Sequence, residues 1–135
     1  MSSGARSPEE VLQRRYRVLK IVALLMILFG SAEVVTSVSH NFFGIHIGGS
    51  RVATYAVMAI GCLYAAAGLL VLTRKRRPAV LALVLLGLVV GGRVAVAMTG
   101  LYPTGSVRQL AAIAVGTSIV VGFAIYIRLQ WAVLR

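Results

Sequence analysis

The chain has 135 residues, which limits it to one domain, and 59% of them are hydrophobic against 13% charged, at a mean hydropathy of +0.92. That composition cannot supply the polar exterior of a soluble fold. The net charge of +11 does not point to nucleic acid, because the basic residues stand at the ends of apolar blocks rather than on a face interleaved with aromatics.

Residues 1–17 form a basic, polar arm. Ser7 is placed to cap a helix, Pro8 suits the first helical position, and Glu9 and Glu10 suit the first turn. The arm reads either as a cytoplasmic helix running into the first span or as a frayed tail. Basic residues followed by Val18 to Phe29 and then Gly30-Ser31-Ala32 have the outline of a cleavable signal peptide. The apolar run resumes after Glu33 with Val34, Val35 and Val38, so the expectation is an uncleaved anchor.

Four apolar blocks follow, at 18–39, 52–73, 78–99 and 109–127. Each has about the 20 residues that a helix needs to cross 30 Å of hydrocarbon. Membrane β-strands are about half as long and alternate in polarity, so a barrel is not expected. The predicted fold is all-α and integral to a membrane. It comprises a membrane domain at 18–128 and a short cytoplasmic tail at 129–135. Short links imply a compact antiparallel four-helix bundle. Pro78 is expected to open the third helix.

The first block carries polar residues. Gly30, Glu33, Ser37 and His40 follow helical spacing and form one stripe, with Thr36 beside it. Such a stripe can coordinate a lipid headgroup or line a pathway. The plainer reading is bonding across helices or to its own backbone carbonyls. The link that follows, His40 to Ser50, is apolar for a loop and suits an interface or a docked protein. His40 and His46, with no acidic or thiol partner nearby, make a poor metal site. The second block holds Gly61, Ala65 and Gly68. Its Cys62 reads as a small buried apolar residue, and a single cysteine closes no disulfide.

Arg74-Lys75-Arg76-Arg77 links the second block to the third. The third carries Gly87, Gly91 and Ala95, and the fourth Ala114, Ser118 and Gly122. These small-residue ridges are predicted helix-packing positions, and any surplus over internal needs would suit a partner protein. Eleven Lys and Arg residues flank the arm, the second link and the tail, against Arg51 and Arg108 on the other side. The positive-inside rule therefore places both termini in the cytoplasm. Tyr16, Tyr126 and Trp131 would mark the inner interface. Phe42, Phe43, Tyr55 and Tyr102 would mark the outer one.

Glu33 and Arg93 are the charged residues that interrupt the blocks away from their ends. Glu33 lies about 20 Å along its block from Lys20, and Arg93 about 22 Å from Pro78. Charges in hydrocarbon need partners, so an intramembrane Glu33–Arg93 pair between the first and third helices is predicted. It serves either to fix register or as a proton or ligand site. No nucleotide loop, Ser/His/Asp set, paired carboxylates or Cys/His cluster is present in the sequence. That argues against an enzyme and for no cofactor.

Gly61-Cys62-Leu63-Tyr64-Ala65-Ala66-Ala67-Gly68, the basic link, and Gly87 through Gly91-Gly92-Arg93 together resemble the DoxX-like small four-helix bacterial membrane proteins, over about residues 18–128. The second hairpin echoes the first, as in those proteins. The resemblance implies a fold rather than an activity. The Ala-, Val- and Arg-rich style looks like that of a high-GC bacterium, so the expected location is the plasma membrane. The first expectation for function is an accessory or scaffolding subunit of a larger membrane complex, such as a lipid-transport or cell-envelope assembly. Its partners would be membrane lipids and other integral membrane proteins, with no nucleic acid. The alternative is a small transporter or ligand-binding bundle using Glu33 and Arg93. A membrane oxidoreductase component is a third.

Overall fold

Ser7 starts the first helix. Its side chain accepts a 3.3 Å hydrogen bond from the Glu10 amide, while Pro8, which lacks an amide hydrogen, takes a position where none is needed. From there α1 runs unbroken from Pro8 to Ser39. The computed structural model describes residues 7–42, 45–46, 50–101 and 105–134. Residues 8–17 of the arm and the first block are therefore one helix of 32 residues, about 48 Å long at 1.5 Å per residue. It ends at His40, which sits exposed in the left-handed conformation at φ 53°.

A two-residue antiparallel pair follows, β1 (Asn41–Phe42) with β2 (Ile45–His46), Asn41 opposite His46. Then come α2 (Arg51–Leu72), α3 (Arg76–Met98) and α4 (Val107–Leu129). All four helices are long and apolar enough to cross a membrane. Expectations for Phe43, Tyr102, Gly44 and 47–49, and the charges of Arg6 and Arg135, fall outside the described residues.

Pro78 does not open α3. Arg76 and Arg77 precede it, so it is the third residue. Its missing amide hydrogen still belongs to the first-turn set that has no helical partner, and the Ala79 amide makes the first bond, to Lys75 O at 3.1 Å. At α4, Ser106 and Gln109 form a reciprocal capping box, with both bonds at 3.2 Å.

α1 and α2 meet through glycines. A β-carbon on Gly30 would fall 2.5 Å from the Ala65 amide nitrogen and 2.6 Å from Gly61 O, and one on Gly68 would fall 2.8 Å from Ala23 O. The register (Gly30 with Ala65, Ala23 with Gly68) shows that the two helices run in opposite directions. Backbone-to-backbone approach of this kind is how helices gain contact in lipid, where apolar burial between them drives little. Gly61, Ala65 and Gly68 thus do pack helices.

The ridges on α3 and α4 do not. Gly87, Gly91 and Gly122 face open space, and Ala95, Ala114 and Ser118 are exposed. Cys62 is also exposed rather than buried. In lipid the outward face of a helix can be as apolar as the inward one, so small size alone does not mark the inside.

The core joins Leu19, Ala23 and Met26 of α1 to Tyr64, Ala67 and Val71 of α2 and to Ala82, Leu86 and Val89 of α3. α4 buries only Val120 and Ile127. It rests along α3 and makes no comparable packing with α1 or α2. Beyond α4 the chain turns back as a short 3-10 helix, Trp131–Val133. Tyr16 donates a 3.0 Å bond to Val133 O, and Arg76 Nε donates a 2.9 Å bond to Leu134 O. Arg74 lies over the Tyr16 ring, 5.3 Å from its centroid. Val133 and Leu134 are buried, so the end of the described chain docks against α1 and α3 through these two residues.

Candidate functional site

The incomplete packing of α4 leaves a cavity of about 450 Å³ that all four helices line. This is within the usual range for small-ligand pockets, about 300–1,000 Å³. α1 contributes Phe29, Ala32, Glu33 and Thr36, and α2 contributes Val57, Ile60 and Tyr64. α3 contributes Arg93 and Val96, and α4 contributes Ala112, Ile113, Gly116 and Ile119. The wall is apolar apart from Glu33, Thr36, Tyr64 and Arg93. Leu28 of α1 and Val115 of α4 complete the lining and are 62% and 59% exposed. Both reach the outer surface of their helices, so the cavity is not closed off from its surroundings.

Glu33 Oε1 and Arg93 Nη2 form an ion pair in this wall. The side chains are only 14% and 15% exposed, respectively. Each charge, largely removed from water, has the other as its partner, and losing either would leave the remaining one uncompensated. α4 makes room for the guanidinium. A β-carbon on Gly116 would fall 2.6 Å from Arg93 Nη1. The second carboxylate oxygen, Glu33 Oε2, is buried and meets no hydrogen-bond partner among the described residues. The same holds for the hydroxyl of Tyr64, a residue only 2% exposed. The Tyr64 ring is tilted against Phe123 of α4, with centroids 6.4 Å apart.

The stripe on α1 divides. Gly30 is buried against α2. Ser37 is buried, and its hydroxyl donates to Val34 O at 2.7 Å. His40 is exposed at the helix end. Thr36 lines the cavity while donating to Glu33 O at 3.0 Å. These hydroxyls spend their protons on backbone carbonyls within their own helix, a common use of Ser and Thr in apolar surroundings. The cavity face of α1 is thus Phe29, Ala32, Glu33 and Thr36. Among the described residues no three His, Cys, Asp or Glu side chains gather in a way that could hold a metal.

Sequence reasoning passed over Tyr64 and Gly116. Tyr64 carried a signal, a phenol midway along a span without charges, far deeper than Tyr55 near its end, where a hydroxyl wants a partner. Gly116 carried none that spacing could reveal, because its role is set by a side chain on another helix. Compared with known proteins, the chain matches no family model, and no curated protein or solved structure shows significant similarity to it.

Proposed function

We propose that this chain is a multi-pass protein of a bacterial plasma membrane, a compact antiparallel bundle with both termini in the cytoplasm, which binds an apolar small molecule drawn from the bilayer. The carrying observation is the cavity among the four apolar helices, open to their surroundings and apolar but for one ion pair, one buried phenol and Thr36. A lipid-soluble molecule already concentrated in the bilayer reaches such a mouth without crossing water. The charge asymmetry of the flanks supports the orientation. The absence of a catalytic constellation in the sequence favours binding or transport over catalysis.

Photolabelling with a bilayer-soluble diazirine hydrocarbon tests this. The reading expects adducts on inward residues, Val57, Ile60 and Ala112, that vanish in Ala112→Trp. Labelling confined to outward residues such as Met98 and Leu129, both strongly exposed, would contradict it.

A second reading, compatible with the first, is an accessory subunit of a larger membrane complex, such as a lipid-transport or cell-envelope assembly. The outward ridges Gly87–Gly91–Ala95 and Ala114–Ser118–Gly122 favour it, since such surfaces let another helix approach closely.

A further inference from the structure

We infer that the ligand's polar end is an uncharged hydroxyl, so that the cavity is built for a lipid alcohol rather than for a fatty acid, an amine or a hydrocarbon without a head. This rests on the binding reading above and specifies its ligand. The first argument is charge. Glu33 and Arg93 already neutralise each other across the cavity wall. An anionic head that reached Arg93 would stand beside the Glu33 carboxylate, and a cationic head that reached Glu33 would stand beside the guanidinium. In a site with little water to screen them, either encounter is repulsive and leaves a charge uncompensated. A neutral head meets neither penalty.

The second argument is hydrogen bonding. Among the buried polar atoms of the lining residues, Glu33 Oε2 and the Tyr64 hydroxyl find no partner among the described residues. A carboxylate oxygen only accepts, so its partner must donate. A phenol can both donate and accept, and as a donor it is met by a partner that accepts. One alcohol oxygen does both. It donates its proton to Glu33 Oε2 and accepts the Tyr64 proton on a lone pair. An ionised fatty acid has no proton to give, and an ester or ether has none either.

The third argument is direction. Side chains on a helix lean towards its N-terminus. Because α1 and α2 run in opposite directions, Glu33 and Tyr64 lean towards each other along the bundle axis. The two groups therefore converge on one stretch of the cavity, and the apolar remainder of the space is left for the ligand's body.

Competition against the diazirine hydrocarbon, on the full chain in lipid nanodiscs, tests the assignment. The competitors are a long-chain alcohol and its matched methyl ether, carboxylate and amine, all of one chain length. The alcohol is expected to compete best, by roughly fivefold over the ether, the worth of one hydrogen bond. Tyr64→Phe, which keeps the ring, should weaken competition by alcohol and ether by a similar factor, since both oxygens accept the phenol's proton, and leave the alcohol's advantage, which rests on donation to Glu33, in place. If alcohol and ether compete equally, or if the carboxylate or amine wins, the hydroxyl assignment is overturned while the cavity reading stands. If the hydrocarbon fails to label inward residues at all, the cavity reading falls and the assignment falls with it.

Discussion

Gly116 of α4 stands directly against the guanidinium of Arg93 of α3, with no room between them for even one methyl group: a β-carbon there would lie 2.6 Å from Nη1. The contact explains why an arginine can sit in an apolar span without opening the helices around it. It also ties the poorly buried α4 to the charged wall of the cavity. Gly116→Ala should therefore displace the mobile end of the Arg93 side chain rather than any backbone, and cost about 1 kcal/mol or less. In an Arg93→Ala background the same change should be nearly neutral. Thermal unfolding followed by size-exclusion fluorescence reads both, and equal losses in the two backgrounds would show that Gly116 matters for another reason.

The Glu33–Arg93 pair makes a second prediction. Arg93→Met or Glu33→Gln alone strands a partly buried partner and should cost about 3 kcal/mol. The double variant should recover much of that, because no uncompensated charge remains. Recovered stability with lost ligand competition would assign the pair to binding as well as to register. Recovery of both would leave it a structural device.

The glycines separate into two groups. Gly61→Val meets the Gly30 carbonyl and should disrupt the α1–α2 contact, with little folded protein recovered. Gly122→Val meets nothing within 4 Å and should leave stability within about 0.5 kcal/mol of wild type. Affinity purification of tagged Gly122→Val under gentle detergent then tests the outward ridge. Loss of co-purifying membrane proteins, with the fold intact, supports the subunit reading; an unchanged set argues that this ridge faces lipid.

At the other end, Tyr16 and Arg76 hold the chain's last turn through Val133 O and Leu134 O. Tyr16→Phe removes one bond and should cost about 1 kcal/mol. It should also speed carboxypeptidase release of the final residues. Unchanged release would show that Arg76 and the burial of Leu134 suffice.

Helices long enough to span a membrane were plain in the sequence, because lipid demands long uninterrupted apolar runs and charged residues punctuate them. Depth along α1 and α3 was also readable, since rise per residue is fixed, and it set Glu33 level with Arg93. What the sequence did not show is which side of each helix faces inward. In water, polarity marks the outer face. In lipid Gly87 and Gly122 look no different from Gly61, although only Gly61 touches another helix backbone. Tyr64 and Gly116 were hidden for the same reason: their meaning depends on what lies opposite. The stripe through Gly30, Ser37 and His40 followed helical spacing correctly, yet the cavity face is rotated from it, through Phe29, Glu33 and Thr36.

Native mass spectrometry of the intact chain released from native-lipid nanodiscs, wild type beside Ala112→Trp, reads the occupancy of the cavity directly. The cavity account predicts a small apolar adduct on the wild-type chain, near one per chain, absent from the filled variant. An adduct of the same mass and occupancy on both proteins, or none on either, would contradict it.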